Sequence, residues 1–301
     1  MGKRRYGPHV FETSNEDKPL FPEGPTKGEV IDYYERIAPH LLPHLRDRPL
    51  VMRRCPDGIE GECFYQKQIG GYFPDWIDRV KVQRRRGGDQ TLVVARNRAT
   101  LAYLANQAVI PIHAWLSTRD RPEWPDQLVI DLDPTDEGFA PVRSAARRCR
   151  ELLEELGLRP FLKTTGSRGL HVVVALDGSA GFDEVRGFAR EAMEELAARH
   201  PDELTTAIRK DRRRGRLYLD VGRNAYAQTA VAPYSLRALP GAPVATPIEW
   251  EELSRSDVGP RSWNLGNLFR RLGQRDDPWK NLRRHGTSLR SARHRLARCR
   301  A

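Results

Sequence analysis

Cysteine is scarce in this sequence: four residues of 301 (Cys55, Cys63, Cys149 and Cys299), none in a Cys-x-x-Cys spacing. That excludes a zinc ribbon built from cysteine alone and argues against a disulfide framework, so all four are expected to be reduced bystanders. Long apolar runs are missing as well. Nothing approaches the roughly 18 uninterrupted apolar residues of a membrane span. The basic start, Met1 to Tyr6, has no apolar stretch behind it of the kind a secretory signal carries. A cytoplasmic protein with no membrane partner is therefore expected. Internal repeats are absent too, which excludes solenoids and propellers.

What is present is length and positive charge. A chain of 301 residues can bury a sizeable core as one large or two small domains. Its 51 Lys/Arg against 40 Asp/Glu give a net charge of +11. The segment 270–301 holds 11 basic and 2 acidic residues, leaving a nearly balanced 40 against 38 elsewhere. Such a basic tail reads as a polyanion contact, nucleic acid first and acidic lipid second, or as a solubilising, partly disordered end. Smaller basic knots occur at Arg84-Arg85-Arg86 and from Arg209 to Arg214, each beside a glycine-containing turn.

Hydropathy patterning predicts a loop-like start (1–28) and then a helix over 29–42, with Thr26 and Glu29 placed as a capping box. Short β-like runs follow at 50–54, 63–68, 80–85 and 92–95, then a helix at 98–107 and an extended run at 109–116. A proline-rich break at 117–126 divides two candidate modules. Beyond it come strands at 127–132, 160–165, 170–176, 217–221 and 229–232. Helices are predicted at 141–156 and 182–199, a further one at 203–210, and a short one at 262–272. The mixture of interleaved helices and hairpin-like strand pairs is α/β (α+β) with mixed or antiparallel sheets, not a doubly wound parallel fold.

Three clusters carry chemistry. Leu128 to Pro134 is an apolar strand delivering Asp131 and Asp133 to one face, with Cα atoms about 6.5 Å apart. Like charges so close repel unless a cation lies between them, and carboxylate oxygens suit Mg²⁺ or Mn²⁺. Alone, the pair is equally a turn-starting motif. Thr164 to His171 places two glycines, hydroxyls, Arg168 and His171 on a turn between strands, where backbone N–H groups and a guanidinium can hold phosphate; an ordinary hairpin turn accounts for the glycines only. Arg213 to Asp220 delivers a third carboxylate behind a basic knot. Phe64-Tyr65 beside Lys67 suits base stacking with phosphate contact, or else a buried strand pair.

Taken in order and spacing, these motifs and Ala232-Pro233-Tyr234-Ser235-Leu236-Arg237 resemble the polymerase domain of bacterial ligase D, of the archaeo-eukaryotic primase superfamily. Asp17 to Pro22, Thr26 to Val30, Arg53-Arg54 and Phe64 to Lys67 extend the likeness over nearly the whole body. The resemblance implies a primase-like core of two sheets with flanking helices over 1–269, followed by a basic tail at 270–301. It implies Asp131, Asp133 and Asp220 as a catalytic, metal-binding triad for two Mn²⁺ or Mg²⁺ ions. It implies Arg53, His113, Thr165, Gly166, Ser167, Arg168, His171 and Arg237 as nucleotide contacts. Lys18, Lys27, Arg54, Phe64, Tyr65, Lys67 and Arg213 become DNA contacts, Lys18 and Lys27 at a downstream 5′-phosphate. Thr165 and Arg168 stand where the family commonly has Ser and Lys, and Cys55 stands in place of a Trp.

The expected activity is nucleotidyl transfer to a primer 3′-hydroxyl, template-dependent, preferring ribonucleotides among NTP and dNTP substrates. The expected partner is DNA: primer-template, gapped or 5′-phosphorylated ends in repair. Ku and a separate ligase are candidate partners, because no Lys-x-Asp-Gly ligase motif occurs in the chain. Its methionine start and basic tail lead to the expectation of a stand-alone, nucleoid-associated protein. Two other classes compete: a DNA-end-binding module with little catalysis, and a metal-dependent nuclease.

Overall fold

The computed structural model describes residues 2–134 and 138–300. The chain divides into two compact units: Met1–Asp120 with Thr229–Thr246 and Trp263–Arg275, and Arg121–Gln228 with Pro247–Ser262 and Asp276–Ala301.

In the first unit, Thr26 and Glu29 close a capping box that starts the helix Lys27–Leu45. Its apolar stripe, Val30, Tyr34, Ile37, Leu41 and Leu45, is completely buried. Tyr34 donates its hydroxyl to the Ile110 carbonyl and accepts the Leu236 N–H, which pins the helix to the sheet's neighbourhood. The sheet runs in the order Thr229–Val231, Val109–Trp115, Pro49–Arg54, Asp89–Val94, Arg79–Gln83, with Phe64–Gln66 also on Pro49–Arg54. All of these pairs are antiparallel.

The second unit has a mixed sheet in the order Leu204–Thr205, Leu217–Asp220, Gln127–Asp133, Leu170–Ala175, Pro160–Thr164, Pro247–Ile248. Only the first pair is parallel. Helices Ala140–Glu155 and Phe182–Arg199 bury Val142, Ala146, Cys149, Val185, Phe188 and Met193. Gly157, at φ +79°, ends the first of these helices, and the Leu158 N–H returns to the Leu153 carbonyl. The architecture is the α/β mixture with antiparallel and mixed sheets that the pattern predicts.

Four expectations change. The loop-like start contains a hairpin, Gly2–Tyr6 with His9–Thr13, turned by Gly7 at φ +61° and Pro8. It is held by buried Phe11 and by Arg4 bonded to Glu16 at 2.7 Å, contacts too distant in sequence to show as local patterning. The helix expected over 203–210 is instead a strand, Leu204–Thr205, captured at the sheet edge, followed by the short helix Lys210–Arg213. Cys55 and Cys63 are not bystanders: they form a disulfide. Arg54 and Phe64 oppose each other in the antiparallel ladder, which brings the next residue on each strand to a Cα separation of 4.3 Å. Finally, the basic segment is folded. It contains the helix Arg290–Cys299, with Trp279, Leu282, Leu289 and Leu296 buried.

Candidate active site

The site is built at one end of the strand Gln127–Asp133 in the second unit. Asp131 opposes Asp220 on one neighbouring strand and His171 on the other. His171 in turn opposes Lys163. Directly opposed residues share a sheet face, so Asp220, Asp131, His171 and Lys163 form one row of ionisable side chains across four strands. Asp133, two residues on, shares that face and opposes Tyr218. The Leu217–Asp220 strand ends at Asp220, and Asn224 takes over its edge. Its side chain accepts the Val129 N–H at 2.8 Å and donates to the Val129 carbonyl at 2.6 Å, replacing one rung of the ladder.

Asp131, Asp133, Asp220, Pro134, Arg168, Lys210, Arg213 and Tyr218 line one cavity of about 250 Å³. Asp131 is 5% exposed. Its Oδ1 lies 3.3 Å from His171 Nε2 and receives no aligned hydrogen bond, while Oδ2 accepts from Arg223 Nε at 3.2 Å. Burial raises its pKa, but His171 and Arg223 outweigh that and hold the carboxyl well below the ordinary range. Burial, together with the Lys163 charge, pushes His171 down to about 4 against the pull of Asp131. At neutral pH the pair is therefore a carboxylate beside a neutral imidazole. Asp220 Oδ1 accepts the Gly222 N–H at 2.7 Å.

Three carboxylates on one face, with no thiol among them, fit a hard divalent cation. The partly unsatisfied Asp131 Oδ1 is the kind of atom such an ion would occupy. As the side chains stand, Asp131 faces Arg223 and His171, and no group of three or more His, Cys, Asp or Glu among the described residues is arranged around a common point.

The turn after Pro160–Thr164 approaches this strand closely. A Cβ on Gly169 would fall 1.9 Å from the Leu132 carbonyl oxygen and 2.7 Å from Asp133 Oδ1, so only glycine fits. Gly166, at φ +64°, turns the chain. Thr165 is buried and its Oγ1 accepts the N–H groups of Ser167 and Gly169, so its hydroxyl builds the turn. Ser167 is half-buried and its carbonyl accepts from Arg261. Arg168 is exposed at the cavity. Arg213 lies 4.2 Å over the Tyr218 ring and donates to the carbonyls of Ala207 and Ile208. The cavity thus sets three carboxylates against three cations: Arg168, Lys210 and Arg213.

The remaining sequence candidates belong to the first unit. Arg53 opposes Tyr65 and lies 6.0 Å over its ring, and the Tyr65 ring stands 5.7 Å from that of His113, which is 9% exposed. Phe64 and Tyr65 are 43% and 57% exposed, so the buried-pair alternative does not hold. Lys67 is exposed. Arg54 is tied to the Gln107 carbonyl and to Gln66. Lys18 pairs with Asp57 at 2.7 Å. Lys27 is largely buried, donates to Ser14 Oγ, and has its pKa lowered by that burial. Arg237 is half-buried and lies near Tyr34.

Four residues of these surroundings are not singled out in the sequence, Lys163, Tyr218 and Arg223 in the second unit and exposed Tyr72 in the first, and Lys210 stands out only as part of a basic knot. Lys163 leaves one signal, a lone charge in the apolar run Pro160-Phe161-Leu162. Arg223 leaves none, because its partner is 92 residues away.

Comparison with known proteins fits this geometry. The sequence model for the LigD primase-polymerase domain matches residues 26–279. The multifunctional non-homologous end joining protein LigD of Pseudomonas aeruginosa is 36% identical over 257 residues, covering 84% of this chain and 30% of that protein. The corresponding Mycolicibacterium smegmatis protein is 34% identical, with 92% and 37% covered. The chain thus spans about a third of the length of these relatives. Among solved structures, the polymerase domain of Mycobacterium tuberculosis ligase D in complex with DNA superposes with a TM-score of 0.85 at 31% identity, covering 92% of this chain and 99% of that one. The chain belongs to the LigD primase-polymerase domain family.

Proposed function

We propose that this protein is a template-dependent polymerase that adds nucleotides, ribonucleotides by preference, to a primer 3′-hydroxyl at short gaps or broken DNA ends. The observation that carries this reading is the cavity at the end of the strand Gln127–Asp133, where Asp131, Asp133 and Asp220 face Arg168, Lys210 and Arg213. A binding module has no use for three carboxylates among phosphate-binding cations. A nuclease does not need a cradle for a triphosphate.

Asp131, Asp133 and Asp220 would hold divalent ions, Mn²⁺ or Mg²⁺. Bound there, such ions make a hydroxyl more acidic and neutralise charge on a leaving pyrophosphate. The chain's own groups do the rest. Arg168 presents a planar fork of donors to phosphate oxygens, Lys210 adds a point charge, and Arg213 is braced on Tyr218 and two carbonyls so that it loses little freedom on binding. On the turn that Thr165 fixes by accepting the Ser167 and Gly169 N–H groups, the Arg168 N–H would supply a further donor. Neutral His171 steadies Asp131 without a competing charge. In the first unit, Phe64, Tyr65 and Lys67 offer stacking faces beside a cation, a platform for DNA.

The relatives' part in non-homologous end joining makes repair of broken ends the proposed setting, with Ku and a ligase as proposed partners. One experiment separates the readings. The protein is incubated with a 5′-phosphorylated gapped primer-template, Mn²⁺ and NTP or dNTP, and the products are run on a denaturing gel beside a native one. Primer extension supports the proposal. Shortening supports a nuclease, and a native-gel shift with an unchanged primer supports a binding module.

A further inference from the structure

Residues 280–300 hold eight Lys/Arg and no Asp or Glu. They lie beyond the stretch that matches the family model, and none of them lines the carboxylate cavity. The segment is anchored rather than loose. Trp279 donates its Nε1–H to the Leu162 carbonyl at 3.0 Å, and Leu282, Leu289, Ala292 and Leu296 are buried. In the helix Arg290–Cys299 these apolar positions recur at the three- and four-residue spacings of one face. Two arginines brace the same packing: Arg293 donates to the Glu184 carbonyl at 2.7 Å, and Arg300 lies 3.6 Å from Glu194. Arg295 lies against Gly157, at the C-terminal end of the helix Ala140–Glu155, where a cation is favoured by the helix dipole.

Lys280, Arg284, Arg290 and Arg298 are exposed and have no carboxylate partner among the described residues. Arg290 occupies the first turn of its helix, where the dipole disfavours positive charge, and no acidic residue accompanies it there. Arg290, His294 and Arg298 fall at four-residue spacing, a stripe about 12 Å long at 1.5 Å per residue. Two features occur together: apolar residues are turned inward as anchors, and cations are held outward without carboxylate partners among the described residues.

We infer that this face is a second nucleic-acid contact, binding the phosphate backbone of duplex DNA independently of sequence. Three of the four outward cations are arginine, whose fork engages phosphate oxygens in pairs. A membrane surface is the poorer partner. An interfacial helix must offer large apolar residues to the lipid, and here Leu289 and Leu296 are already buried in the protein. The inference rests on the polymerase reading only in taking DNA as the polyanion. Its consequence is that the enzyme stays on duplex DNA while the active site handles the primer end.

The test compares wild type with Arg284→Gln/Arg290→Gln/Arg298→Gln, none of which is a residue of the cavity. Affinity for a blunt duplex is measured by fluorescence anisotropy between 50 and 200 mM salt (about the range over which counterion release is legible). Each phosphate contact adds roughly 0.9 to the log–log salt slope. The triple variant should lose about 2–3 from that slope and bind duplex about ten-fold or more weakly, with an unchanged melting temperature. Extension at saturating DNA should be unchanged while KM for DNA rises. An unchanged slope overturns the inference, as does loss of binding to phosphatidylserine vesicles with DNA binding intact. The same slope measured in an Asp131→Asn/Asp133→Asn background, which does not extend primers if the polymerase reading holds, keeps the two conclusions separable.

Discussion

Asp220 stands directly opposite Asp131 on adjacent antiparallel strands, so two carboxylates share one pleat of a single sheet face. Like charges in that position oppose folding by about 0.2–1 kcal/mol. A protein selected only for stability would not keep them. Asp220→Asn retains the side-chain oxygen that accepts the Gly222 N–H but removes the repulsion. The metal-free variant is therefore expected to melt a few degrees above wild type and to lose most of the stabilisation that Mn²⁺ gives. Differential scanning calorimetry with and without Mn²⁺ measures both, and a less stable metal-free variant contradicts the account.

His171 gives the fold an acid-sensitive element. Its pKa is depressed from about 6.5 in the unfolded chain to about 4, chiefly by burial. Between those values the unfolded chain binds the proton and the native protein does not. Stability is complete above pH 6.5 and falls as the pH drops toward 4, by roughly 3 kcal/mol across the window. Urea unfolding from pH 7 to pH 4 should show that slope, and His171→Gln should flatten it. The Asp131 carboxyl, also depressed, acts at lower pH and leaves the window clear.

Asn224 carries the ladder past the end of the Leu217–Asp220 strand. Asn224→Ala leaves the buried N–H and C=O of Val129 without these partners. Each such group is worth about 1–3 kcal/mol, so a loss of about 2–6 kcal/mol in unfolding free energy is expected. A loss below 1 kcal/mol would show that water or a neighbouring strand takes over the edge.

The thiol count tests the covalent structure. Under non-reducing conditions the native protein should expose one accessible thiol, Cys299, because Cys149 is buried and its pKa is pushed up to about 12 by desolvation. Denaturation should raise the count to two, and reduction to four. Four thiols without reductant would exclude the Cys55–Cys63 bond.

What the sequence discloses follows physical range. The helix at 27–45 announces itself by its capping box and its apolar stripe, and the strand at 127–133 by its apolar run. Asp131, Asp133 and Asp220 are legible because strand ends and charges coincide. Local reading fails where a pairing partner, and not a segment's own hydropathy, decides: the amino-terminal hairpin fixed by Arg4 and Glu16, the strand at 204–205, and the disulfide made by ladder register. It fails in the site for the same reason. Arg223 and Lys163 acquire meaning only once Asp131 and His171 lie beside them. Thr165, a nucleotide contact by resemblance, has its hydroxyl engaged inside the turn.

The most direct measurement is single-turnover nucleotide incorporation on a gapped primer-template by wild type and by Asp131→Asn/Asp133→Asn, with DNA affinity measured in parallel. The account predicts that the variant binds DNA within about three-fold of wild type and incorporates at least about a thousand-fold more slowly, the scale of lost electrostatic stabilisation at a reacting phosphate. Incorporation at the wild-type rate would contradict it.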